Sequence, residues 1–264
     1  MVSEAQATAR RAANSRTMDR ITRFGLICRG LLYGLIGVLA VQIAFGDGGR
    51  EADKSGAVRM VSSLPFGAVV LWAMAVGFAA LTLWQLSELF FGSRKAKDRV
   101  QAGSRVVVYA FICFSLLTVL LAGRSSSDDR KSRDVTAALL GLPGGQVIAG
   151  AIGLGIVALG VYWIYQGVTR GFREYLRPMP PRADAVMDKL GLAGYTARGL
   201  VAGLAGVFVV QAAITFDPGK AGGIDHALRS LAGTPAGPWL LAVVAVGVVL
   251  FACYCFGEAR WRRT

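Results

Sequence analysis

The stretch PFGAVVLWAMAVGFAALTLWQLSELFF, residues 65–91, decides the fold. It carries no charge before Glu88, and it exceeds the ~20 residues that a helix needs to cross ~30 Å of hydrocarbon. A segment alone in lipid must satisfy every backbone amide within itself, which makes it a helix. It opens on Pro65-x-Gly67, with Gly77 twelve residues after the proline, Trp84 nineteen after it and Glu88 twenty-three after it. The same spacing returns in Pro143, Gly145, Gly155, Tyr162 and Gln166, and again in Pro235, Gly237, Gly247, Tyr254 and Glu258. Spacing held across three copies marks an internal repeat.

Working outward, each of these even-numbered helices follows an apolar run with an early arginine. Arg29 lies in GLICRGL (25–31), Arg105 in QAGSR (101–105) and Arg198 in GYTARGL (194–200); the first and third copies also share Gly37 with Gly206 and Gln42 with Gln211. The six apolar runs fall near 24–45, 65–91, 104–123, 143–168, 192–216 and 236–257. The reading is an all-α membrane protein of six transmembrane helices, built as three parallel hairpins in a pseudo-threefold arrangement. Its parts are a basic tail over 1–20 and a six-helix membrane domain over 21–264, with repeats at 21–92, 99–172 and 190–261. A hydrophobic share of 54% and a mean hydropathy of +0.52 are too apolar for a water-soluble domain. No short alternating strands point to a barrel. The first run is about twice a signal-peptide core and lacks a small-residue cleavage site, so it reads as a membrane span.

The net charge of +13 would suit a nucleic-acid binder, but its placement along the chain says otherwise. Seventeen Lys and Arg lie in the N-terminal tail, the two even loops and the C-terminal end, against nine in the alternate loops, where eight acids offset them. That is the positive-inside pattern, and it puts both termini in the cytoplasm. No basic cluster with interleaved aromatics accompanies it, which excludes nucleic acid as a partner. Residues 1–20 form a cytoplasmic tail, either a helix lying on an anionic membrane surface or an unstructured segment.

Arginine-glycine early in the odd helices, and Pro-x-Gly followed by a late acid in the even ones, resemble the bacterial membrane family called domain of unknown function 1206, from about Ile21 to Trp261. The resemblance implies the threefold two-helix repeat in a bacterial plasma membrane and brings no activity with it. Repeat two departs from the pattern, with Gln166 where the others have Glu and Cys113 where they have glycine.

Pro65, Pro143 and Pro235 read as first-turn prolines, where the missing N–H would be unpaired anyway. Gly77, Gly155 and Gly247 read as small-residue packing points, as do Gly30, Gly34 and Gly37 and their counterparts Gly199, Gly203 and Gly206. The charges are the candidate site, because an ionised group among lipid chains costs ~2.5–3.5 kcal/mol on insertion scales unless it is paired or reaches water. Arg29, Arg105 and Arg198 lie level with Glu88, Gln166 and Glu258, about one turn inside the cytoplasmic end. Equal depth within a hairpin predicts the pairs Arg29 with Glu88, Arg105 with Gln166 and Arg198 with Glu258. The other reading turns the arginines toward a common axis as a cationic belt.

Other chemistry is sparse. His226 is the single histidine and cannot make a metal site with Asp225 alone. Cys28, Cys113, Cys253 and Cys255 all fall within helices and read as small apolar residues. No cofactor, metal site or catalytic motif is present, so no enzyme activity is expected. Short amphipathic helices are expected on the outer face around Ala57-Val58-Arg59, Ala137 and Ala227-Leu228-Arg229. The function that follows is a structural or accessory plasma-membrane component, with membrane lipids and another membrane protein as candidate partners. The alternative is a transporter or channel for an anionic solute or lipid.

Overall fold

The computed structural model describes residues 16–45, 54–63, 65–91, 96–122, 128–221, 226, 228 and 237–262. Among them run α1 (Arg16–Phe45), α2 (Lys54–Ser62), α3 (Gly67–Phe91), α4 (Ala96–Ala122), α5 (Asp128–Leu140), α6 (Gly145–Val168), α7 (Pro181–Thr215) and α8 (Gly237–Trp261), with no strand among the described residues. Six of these helices are long and apolar enough to cross a membrane: α1, α3, α4, α6, α7 and α8. The protein is an all-helical membrane protein. The fifth span starts earlier than its apolar run, because Pro181 at the first helical position and Asp184 in the first turn launch a polar extension. Most of the basic tail, residues 1–15, lies outside the described residues, while Arg16–Arg20 belong to α1.

The prolines do not stand where a first-turn reading puts them. Pro65 and Pro143 lie in the turns before α3 and α6, and the first helical residue is the glycine two positions later. In α6 the cap is Gly144 at φ 75°, a left-handed turn that lets the chain reverse between Leu140 and Gly145. Glycine is required at the helix start for a separate reason. A Cβ at Gly145 would overlap the Leu139 carbonyl oxygen, and one at Gly67 would overlap the Val61 carbonyl oxygen, each six residues upstream. The Pro-x-Gly signature therefore encodes a tight surface-helix-to-span reversal. Pro235 lies outside the described residues, and α8 starts on Gly237 at the same spacing.

By contact, the 21–264 membrane domain divides into two compact units that cut across the three repeats. The first holds residues up to Leu31, Val61–Arg124 and Cys255–Thr264, and the second holds Leu32–Met60 and Ser125–Tyr254. In the first unit, Gly25 of α1 meets Gly77 and Leu81 of α3, and Gly77 in turn meets Cys28. In the second, the corresponding residues repeat that contact between α7 and α8: Gly194 meets Phe251, and Gly247 meets Ala197. These are the hairpin contacts of repeats one and three. Gly155, the matching glycine of repeat two, is exposed, and a Cβ there would meet nothing within 4 Å. On α6 the close packing comes instead from Gly153 and Gly160.

A second contact links α3 to α4, α6 to α7 and α8 to α1, that is, each even helix to an odd helix of another repeat. In the second unit, Gly199 lies on Gly160 and Ile164, Gly203 on Gly160, and Gly206 on Val157 and the Gly153 carbonyl. Between α8 and α1 the equivalent residues recur: Gly30 on Phe256, Gly34 on Ala252, and Gly37 on Val249 and the Ala245 carbonyl. In the first unit, Cys113 takes the place of that last glycine, and its thiol donates to the Ala75 carbonyl at 3.6 Å, the same carbonyl position. One backbone-close contact thus occurs three times, with a small residue at its tightest point.

The short helices between the spans follow the amphipathic expectation on α2 and only in part on α5. On α2, Ala57, Val58 and Val61 are buried while Arg59 is exposed; on α5, Leu140 and Thr136 are buried while Asp134 and Val135 are exposed. Before α8, Leu228 is buried and His226 stacks edge-on against Phe208 at 4.6 Å, while most of the third such segment lies outside the described residues.

A buried charge cluster as candidate functional site

Arg29 sits on α1 immediately before Gly30, so the close α1–α8 approach brings its side chain against the last turns of α8. Its Nη2 donates to Glu258, its Nε donates to the Cys255 thiol at 3.2 Å, and its Nη1 donates to the Tyr109 hydroxyl of α4 at 2.8 Å. Arg262, one turn beyond Glu258, donates to the other carboxylate oxygen and lies over the Trp84 ring at 4.3 Å. Arg29, Glu258 and Arg262 are 3%, 2% and 3% exposed. Two guanidinium groups thus share one carboxylate away from water. A carboxylate held by two arginines is strongly bound to its place, because each hydrogen bond is charge-assisted.

Arg198, the counterpart of Arg29 in repeat three, has a different environment. Its guanidinium lies 3.6 Å from the ring centre of Trp163, with Tyr33 and Phe251 at 5.3 and 5.1 Å. Tyr33 and Phe251 themselves pack edge-to-face at 4.8 Å, and Phe251 leads into a cluster of Tyr195, Tyr254 and Phe172. Gln166, at the position equivalent to Glu258, donates to the Tyr162 hydroxyl at 2.5 Å.

The pairing predicted within hairpins is therefore corrected. Arg29 pairs with Glu258 of repeat three and not with Glu88, which is exposed. Glu258, matched by depth to Arg198, is held by Arg29 and Arg262, while Arg198 stacks on Trp163 and Gln166 turns to Tyr162. The physical reason lies in the glycines. Gly30 and Gly199 belong to the glycine faces on which α1 packs against α8 and α7 against α6, so the arginine beside each glycine lies against that helix. Neighbours in sequence are not the neighbours in space. Arg105 is half-buried on α4.

Sequence reasoning missed Tyr109, Cys255, Arg262 and Trp163. A usable signal existed for two of them: Cys255 and Trp163 both stand twenty residues after their proline, where repeat one has Gln85. At that position the small thiol leaves room for Arg29 to reach Glu258, and the indole covers Arg198.

Outside the spans, Arg173 joins the α6–α7 connection to the start of α7. It donates to Asp188 and Asp184, each at 2.5 Å, and Arg170 adds a contact to Asp188 at 3.2 Å. The hydrogen bond to Asp188 raises the Arg173 pKa above its ordinary value, with the charges of both aspartates adding to it. The group is exposed, so this latch is a weak one.

Fold and site together define a class: a multi-pass helical membrane protein with one hairpin repeated three times and its arginines at equivalent places. The chain belongs to the family described as Domain of Unknown Function (DUF1206), whose model matches residues 24–91, 100–170 and 193–262, one segment per repeat. It is similar to an uncharacterized protein, YxxB, of Bacillus subtilis (strain 168), at 28% identity over 247 residues, covering 90% of this chain and 88% of the relative. No solved structure gives a significant match.

Proposed function

We propose that this protein is a structural or accessory component of a bacterial plasma membrane, with both termini in the cytoplasm and no enzymatic activity or cofactor. Its partners on this reading are membrane lipids and another membrane protein, and not nucleic acid. The observation that carries the proposal is the use made of Arg29: its donors go to Glu258, Cys255 and Tyr109, so its charge holds helices together and is not offered to a solute. The uneven placement of Lys and Arg supports the orientation, and the bacterial relative supports the setting.

Transport of an anionic solute or lipid is the competing reading, and the observation that favours it is Arg198, whose charge meets rings instead of a carboxylate. Reconstitution separates the two. Liposomes holding the purified full chain should release entrapped phosphate or chloride, and flip a labelled anionic lipid, no faster than empty liposomes. Flux that depends on Arg29 or Arg198 would overturn the structural role.

A further inference from the structure

We propose that Arg198 is the binding site for one phosphate-bearing anion, supplied either by a lipid headgroup or as free phosphate. The inference rests on what compensates the arginine charges and holds whether or not the chain is a scaffold. At the equivalent position in repeat one, Arg29 finds Glu258 twenty-three residues after a proline; the residue that would do this for Arg198 is Gln166, which is neutral and hydrogen-bonded to Tyr162. Among the described residues Arg198 makes no ion pair, and its Nε is buried without a hydrogen-bond partner. A cation on an apolar span without a counter-charge draws one from its surroundings.

The form of the pocket says which kind. Trp163 takes the flat face of the guanidinium at 3.6 Å, with Tyr33 and Phe251 flanking. Stacking engages the face of the guanidinium and leaves its in-plane N–H donors without an acceptor among the described residues, the donors that bind two oxygens of a phosphate side by side. The arginine lies about one turn inside the cytoplasmic end of its apolar run, a depth from which a long side chain reaches the phosphate layer, and a tryptophan is suited to that boundary.

The decisive variant is Gln166→Glu, which supplies the missing carboxylate on the pattern of repeat three and does not remove a packing group. Delipidated full-length protein would be offered phosphatidylglycerol or phosphatidylcholine in mixed micelles and read by native mass spectrometry, with radiolabelled inorganic phosphate in equilibrium dialysis as a second arm. One phosphatidylglycerol per chain should be retained above the phosphatidylcholine background. Retention should fall about tenfold or more in Gln166→Glu and Arg198→Gln, the loss of one charge-assisted pair, and less in Arg198→Lys, which keeps the charge without the fork. The same pattern with inorganic phosphate and not with phosphatidylglycerol would assign the site to a free anion. Binding of neither probe by the wild type, or equal binding by the wild type and Gln166→Glu, would overturn the proposal.

Discussion

Arg29 and Arg198 occupy the same place in repeats one and three, each four residues after one glycine and directly before another, yet their surroundings share almost nothing. Arg29 is enclosed by a carboxylate, a thiol and a hydroxyl. Arg198 is enclosed by an indole and two further rings. The helix contact beneath them is equivalent, Gly30 against Phe256 of α8 and Gly199 against Gly160 and Ile164 of α6. What differs is two side chains on that even helix: Cys255 and Glu258 in one case, Trp163 and Gln166 in the other. A repeated fold can thus keep its packing and vary its electrostatics by exchanging one pair of positions.

The comparison is broken most severely by removing the shared carboxylate. Glu258→Ala leaves Arg29 and Arg262 buried without their counter-charge and should lower stability by about 3–5 kcal/mol, whereas Gln166→Ala, which loses a single neutral hydrogen bond, should cost about 1 kcal/mol. Thermal unfolding in detergent micelles reads both, and equal losses would mean that the cluster at Glu258 is not the ionic anchor it resembles. A smaller effect tests which acid Arg29 uses. In double-mutant cycles, Arg29→Gln with Glu258→Gln should show a coupling of about 1–3 kcal/mol, and Arg29→Gln with Glu88→Gln about zero. Coupling to Glu88 in place of Glu258 would restore the pairing within hairpins. The smallest effect sharpens the Arg198 side: Trp163→Leu should cost about 1 kcal/mol more in the wild type than when Arg198 is already Gln, the share owed to cation–π attraction. The same loss in both backgrounds would reduce the indole to a packing group.

How much of this was legible before the structure can be judged from particular residues. The spans were legible because hydrocarbon thickness leaves little choice to a long apolar run. The repeat was legible because Gly67, Gly145 and Gly237 stand at one spacing from their prolines, and the two whose surroundings are described are forced by a carbonyl six residues upstream. Cys113 was visible as an exception, and its thiol fills the place of a glycine while satisfying the carbonyl that the glycine would only approach. Gly155 was misread as a packing residue because its spacing matches Gly77 and Gly247; spacing fixes a position along the helix, while what faces that position depends on another helix. The partner of Arg29 was misread for a related reason, since depth in the membrane narrows the candidates to a layer and leaves two acids, Glu88 and Glu258, within it.

By itself, the sequence determined that this chain is helical, with six apolar spans and one hairpin repeated three times, because apolar length and fixed spacing are properties of single segments. Only the tertiary structure decided that Glu258 belongs to Arg29 and Trp163 to Arg198. Side-chain partners across helices are set by which glycine faces allow two backbones to approach, and that is a property of pairs of segments distant in the chain.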